Sequence, residues 1–70
     1  MALRGQIKLI VIDVQLVSLR ARLEATEKLV TIAHELGEPK LDMIVEASLL
    51  LSQVTALEAT RADVVQDMEN

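Results

Sequence analysis

Leu36-Gly37-Glu38-Pro39-Lys40 is the stretch that decides how this chain folds. Gly just beyond a periodic apolar segment, with Pro two residues later, is the usual stop signal of a helix, because Gly accepts the left-handed cap and Pro cannot continue the ladder. Asp42 and Glu46 follow at once, where carboxylates meet the positive end of a new helix dipole. The reading outward from Gly37 is therefore helix one over about residues 3–36, a turn at 37–39, and helix two over about 40–68. So short a connection forces an antiparallel hairpin. The expected fold class is all-α: one domain spanning residues 1–70, an antiparallel two-helix hairpin assembling into a homodimeric four-helix bundle or a higher oligomer.

Charge placement agrees with folding at that point. Residues 1–37 carry five Lys/Arg and four Asp/Glu, and residues 38–70 carry two and seven. An antiparallel hairpin brings Arg4 and Lys8 alongside Asp63, Asp67 and Glu69. Each exposed pair contributes little, yet together they favour this pairing over a slipped one.

The case for company comes from the apolar pattern. On helix one, Leu9, Ile12, Leu16, Leu19 and Leu23 recur at alternating spacings of three and four. Ile7, Ile10, Val14, Val17 and Ala21 do the same on another side. An ordinary surface helix has one such stripe, and a single hairpin partner covers only one. On helix two, Met43, Ala47, Leu50, Val54, Leu57, Val64 and Met68 form a heptad seam broken by Arg61. A second line there, through Leu41, Val45, Ser48, Ser52, Thr55, Ala59 and Ala62, is small in its middle and permits close approach of another helix. The consecutive Leu49-Leu50-Leu51 cannot all face one neighbour. Arg61 is expected to reach the rim or to pair across the interface and fix its register. The residues expected to build the oligomer interface are Leu9, Ile10, Ile12, Val14, Leu16, Val17, Leu19, Leu23, Leu50, Val54, Leu57 and Val64. Lys8 to Val14 is rich in β-branched residues and has strand propensity. Helix is the reading adopted, because a lone strand finds no partner elsewhere in the chain.

Composition narrows what the protein can do. Seventy residues give a marginal core, which small scaffolds reinforce with disulfides, a metal or oligomerisation. There is no Cys, and the single His34 cannot build a metal site alone, so no metal and no cofactor are expected. Aromatic residues make up 0% of the chain and the net charge is −4, both adverse to nucleic acid. The run Ile7 to Leu19 is interrupted by Lys8, Asp13 and Gln15 and is too short for a membrane span, so no membrane contact is expected and a cytoplasmic location is the default.

Two motifs carry resemblances. Ile32-Ala33-His34-Glu35-Leu36-Gly37-Glu38-Pro39 resembles the phosphoacceptor box of sensor histidine kinases: His-Glu-Leu, two variable residues, then Pro. That resemblance implies the first helix of a dimeric four-helix bundle running on through the Pro, with His34 accepting phosphate and Glu35 assisting proton transfer. The chain departs from the box at Gly37, usually a polar helix former, and at Lys40, usually apolar. The reading adopted instead makes His34 a polar residue in the last turn of helix one, where a cation suits the dipole. Leu9 to Gln15 resembles the first strand of isochorismatase-type hydrolases, in which the Asp is catalytic. Their nucleophilic Cys is missing here, and Asp13 is read as lying on a polar edge of helix one. Arg20 and Arg22 with Glu24 and Glu27 read as a solvated face. No base lies near Ser18, Ser48 or Ser52 in the pattern, so none is read as a nucleophile.

The expected function is that of a small non-enzymatic protein that self-associates, most readily as a dimer. It would act on an unidentified protein partner as regulator, inhibitor or scaffold. The alternatives are a phosphotransfer module using His34, or a structural subunit of a ring or filament.

Overall fold

The computed structural model describes residues 2–38 and 40–70, and within them the chain is two helices and a turn. Helix α1 spans Ala2–Glu35 and α2 spans Leu41–Glu69. They lie side by side as a rod with extents of 53 × 15 × 14 Å. The stretch with strand propensity, residues 8–14, is helical. Its β-branched side chains divide around the helix: Ile12 is buried, while Ile10, Val11 and Val14 are exposed.

Backbone hydrogen bonding explains where α1 stops. Gly37 has φ of 73°, the left-handed region that other residues enter at a cost. From there the Gly37 N–H donates to the His34 carbonyl at 3.0 Å, and the Glu38 N–H donates to the Ala33 carbonyl at 2.9 Å. These two bonds satisfy carbonyls that the helix end would otherwise leave open, the Schellman arrangement. The resemblance to the kinase box implied a helix continuing through this point; the helix instead ends at Glu35. Pro39, the second stop signal, lies outside the described residues. Helix α2 starts at a weak cap, since Lys40 sits at the cap position with extended backbone and no side-chain bond to the helix. Asp42 in the first turn is the favourable feature there.

The seam between the helices follows one register. Gly5 lies against Met68, so closely that a Cβ on Gly5 would stand 2.6 Å from the Met68 Cγ. Stepping from that layer by alternating three and four places Leu9 opposite Val64, Leu16 opposite Leu57, Leu19 opposite Val54 and Leu23 opposite Leu50. Ile12, Leu16 and Val54 form the buried cluster, with Leu19, Leu23, Leu57 and Val64 packed against it. Leu16 is 2% exposed and Leu50 is 3% exposed. Toward the turn the seam continues through buried Thr26 and half-buried Val30 and Ala33 against Ala47 and Met43.

Ion pairs decorate the two sides of this seam. The Arg61 Nε donates to the Asp13 Oδ1 at 2.7 Å, Arg20 meets Glu58 at 3.4 Å, and Arg22 meets Glu46 at 3.9 Å. Arg61 thus occupies a seam position and reaches its rim, where both partners stay about half exposed. Screening by water limits what such a pair contributes to under about 1 kcal/mol. At the open end Arg4, Lys8 and Asp67 line one cleft. Among the described residues none of them comes within ion-pair distance of another, so the clustering of charge expected there takes the form of proximity without contact.

Candidate functional site

The twelve residues expected at an oligomer interface divide into two groups. Leu9, Ile12, Leu16, Leu19, Leu23, Leu50, Val54, Leu57 and Val64 all lie in the hairpin's own seam, buried or half-buried within one chain. Ile10, Val14 and Val17 do not: they are 62%, 65% and 67% exposed. With Ile7 and Ala21 they line the side of α1 opposite the seam, where α2 of the same chain cannot reach.

This outer stripe is continuous with more apolar surface. Val11 is exposed beside it. Past that same edge an open groove of about 640 Å³ runs along one broad face of the hairpin, lined by Val14, Gln15, Ser18, Leu19, Gln53, Ala56 and Leu57. No charged residue lines that groove. The opposite broad face is polar, with Asp13, Arg20, Glu58 and Arg61 gathered in one cleft. The stripe ends toward the turn at Glu24 and Lys28, which pair with each other at 3.4 Å. One half of the outer side of α1 is therefore apolar and the other half is interrupted by charge.

The outer line of α2 is exposed along its whole length: Leu41, Val45, Ser48, Ser52, Thr55, Ala59 and Ala62. The Ser48 hydroxyl donates back to the Ile44 carbonyl at 3.1 Å, so its polarity is satisfied within its own helix. Of the three consecutive leucines, Leu50 is buried while Leu49 and Leu51 are 60% and 54% exposed. The same helix is long and apolar enough to cross a membrane, with a mean hydropathy of 1.2 over its best window, of which 11% is buried. Its charge-free run, residues 47–57, lies outside the Ile7–Leu19 segment on which the expectation of no membrane contact rested.

His34 is exposed in the last turn of α1, with Glu35 exposed beside it. Among the described residues neither makes a side-chain hydrogen bond or ion pair. No group of three or more His, Asp or Glu is placed to hold a metal ion among the described residues. Asp13 lies at the edge of the seam, engaged with Arg61, 48 positions away in sequence.

The total accessible surface is 5466 Å². A compact monomer of 7.7 kDa exposes about 4,300 Å², so the hairpin shows roughly 1,100 Å² more. The excess is comparable to the area, about 800 Å², that one partner contributes to a standard protein interface. Comparison with family models, curated proteins and solved structures finds no match to this chain.

Proposed function

We propose that this chain is a self-associating helical hairpin that works by protein–protein contact, as a regulator, inhibitor or scaffold, rather than by catalysis. The observation that carries the reading is the apolar outer stripe of α1, with Ile7 54%, Ile10 62%, Val14 65% and Val17 67% exposed. Burying one such side chain contributes about 1.5–3 kcal/mol. Leaving four of them in water forgoes on the order of 5–10 kcal/mol, comparable to the whole stability of a small domain. Contiguous exposed apolar surface of this kind marks an interaction site.

Light scattering across a dilution series tests the proposal through absolute mass. The expected result is at least twice the chain mass of 7.7 kDa at micromolar concentration. A single-chain mass there contradicts it. The hydropathy of α2 supports a second reading, in which a lipid surface takes up the exposed apolar side chains of α2. Flotation of the chain with vesicles, together with a single-chain mass in their absence, favours lipid over a second copy.

A further inference from the structure

The outer stripe of α1 needs an occupant, and the distribution of charge selects among the surfaces this protein can offer. We infer that the occupant is the outer face of α2 from a second copy, so that hairpins associate side by side, α1 of one against α2 of the next. This rests on the self-association proposed above and goes beyond it by naming the two surfaces that meet.

Charge disfavours the symmetric alternative. Residues 2–23 of α1 hold Arg4, Lys8, Arg20 and Arg22 against one acid, Asp13, and since Arg20 and Arg22 pair with Glu58 and Glu46 within the hairpin, Arg4 and Lys8 are the charges left over. Packing α1 on α1 concentrates that positive charge at one interface. Residues 58–70 hold Glu58, Asp63, Asp67 and Glu69 against Arg61 alone, and with Glu58 and Arg61 engaged by Arg20 and Asp13, the acids left over are Asp63, Asp67 and Glu69. Arg4, Lys8 and Asp63 form no ion pair within the hairpin among the described residues. Placing α2 of one copy beside α1 of the next brings these unmatched opposite charges to the same end of the contact.

Shape agrees with charge. Two copies in the same orientation, side by side at equal height, set α1 antiparallel to the neighbouring α2, as it is inside each hairpin. The residue levels of the intramolecular register then put Val14 opposite Ala59 and Val17 within one residue of Thr55. Branched side chains of α1 meet small ones of α2, which lets the helix axes approach closely. Such a contact uses two different surfaces and leaves one of each free at the ends. It therefore propagates into a ring or an open row instead of closing at two copies.

Two single variants, each disabling one surface, test this. Val14→Glu charges the α1 stripe and Ala59→Glu charges the α2 face; both positions are exposed in the single hairpin. Each variant alone is expected to run at the single-chain mass of 7.7 kDa, and an equimolar mixture at twice that mass and no higher, since each supplies the face the other has lost. Should either variant lose helicity alone, recovery of the far-ultraviolet helix signal only on mixing is the same result. If Ala59→Glu alone keeps the wild-type mass, α1 meets α1 and the inference falls. It falls equally if Val14→Glu keeps that mass, or if mixing changes neither mass nor helicity. Failure of the underlying reading looks different: wild-type protein itself then runs as a single chain.

Discussion

Leu16→Ala is expected to lose about 3 kcal/mol of stability, within the roughly 2–5 kcal/mol range of Leu→Ala at fully buried sites. Leu16 is the most buried large side chain, at 2% exposure, and sits in the same cluster as Ile12 and Val54 with Leu57 in the opposite layer. Truncation removes transfer energy and also leaves a cavity between two straight helices, which have few neighbouring side chains able to collapse into it. The whole core is one line of layers, so no second layer compensates. A stability of about 0.05–0.15 kcal/mol per residue means this one change removes a large part of the total. Thermal unfolding followed by circular dichroism, at fixed protein concentration, should show a midpoint lower by about 10–20 °C. Leu51→Ala, at a position 54% exposed on the same hairpin, should shift stability by no more than about 0.5 kcal/mol. Equal effects from the two substitutions would contradict the assignment of the seam.

Arg61→Leu is expected to act in the opposite direction on stability and to cost uniqueness. Arg61 interrupts an otherwise apolar heptad line, and its bond to Asp13 is half exposed on both sides. Losing that pair removes under about 1 kcal/mol. Burying a Leu in the seam returns up to about 1.5–3 kcal/mol. The net expectation is a gain of about 1–2 kcal/mol, read as a higher denaturant midpoint. Asp13 keeps its contact with water, so no buried charge is orphaned. What disappears is a penalty on misalignment. Sliding α2 by one heptad carries Arg61 away from Asp13 and opposite Leu19 or Gly5, where the charge has no partner. With Leu at that position the slipped arrangement loses this penalty, and amide NMR spectra should show additional resonances beside the main set. A destabilised variant with a single set of resonances would mean that the pair contributes more than its exposure allows.

Much of the fold was legible in the sequence, and the reasons differ between elements. The end of α1 was readable because one residue type, Gly, takes the left-handed backbone that the cap requires, and Gly37 does so. Helix over residues 8–14 was readable only indirectly, since β-branched residues fit strands as well. The seam residues were readable from heptad spacing, but which of two stripes α2 would cover was not settled by spacing, because Leu9-Ile12-Leu16 and Ile7-Ile10-Val14 repeat alike. One signal was present: the first stripe continues through Thr26, Val30 and Ala33, whereas the second runs into Glu24 and Lys28. Helix α2 covers the uninterrupted one. The partner of Arg61 was not legible either. Its distance of 48 residues from Asp13 acquires meaning only once the register set at Gly5 and Met68 is known.

On the proposed reading this hairpin holds its shape in company, because the second apolar stripe of α1 has no cover within the chain. The most direct test records helix content by circular dichroism, with mass from light scattering on the same samples, from high micromolar concentration down to the lowest measurable. Helicity and mass are predicted to fall together on dilution, since dissociation returns the stripe to water and removes the stabilisation that assembly supplies by mass action. Full helicity persisting at the single-chain mass would contradict the account.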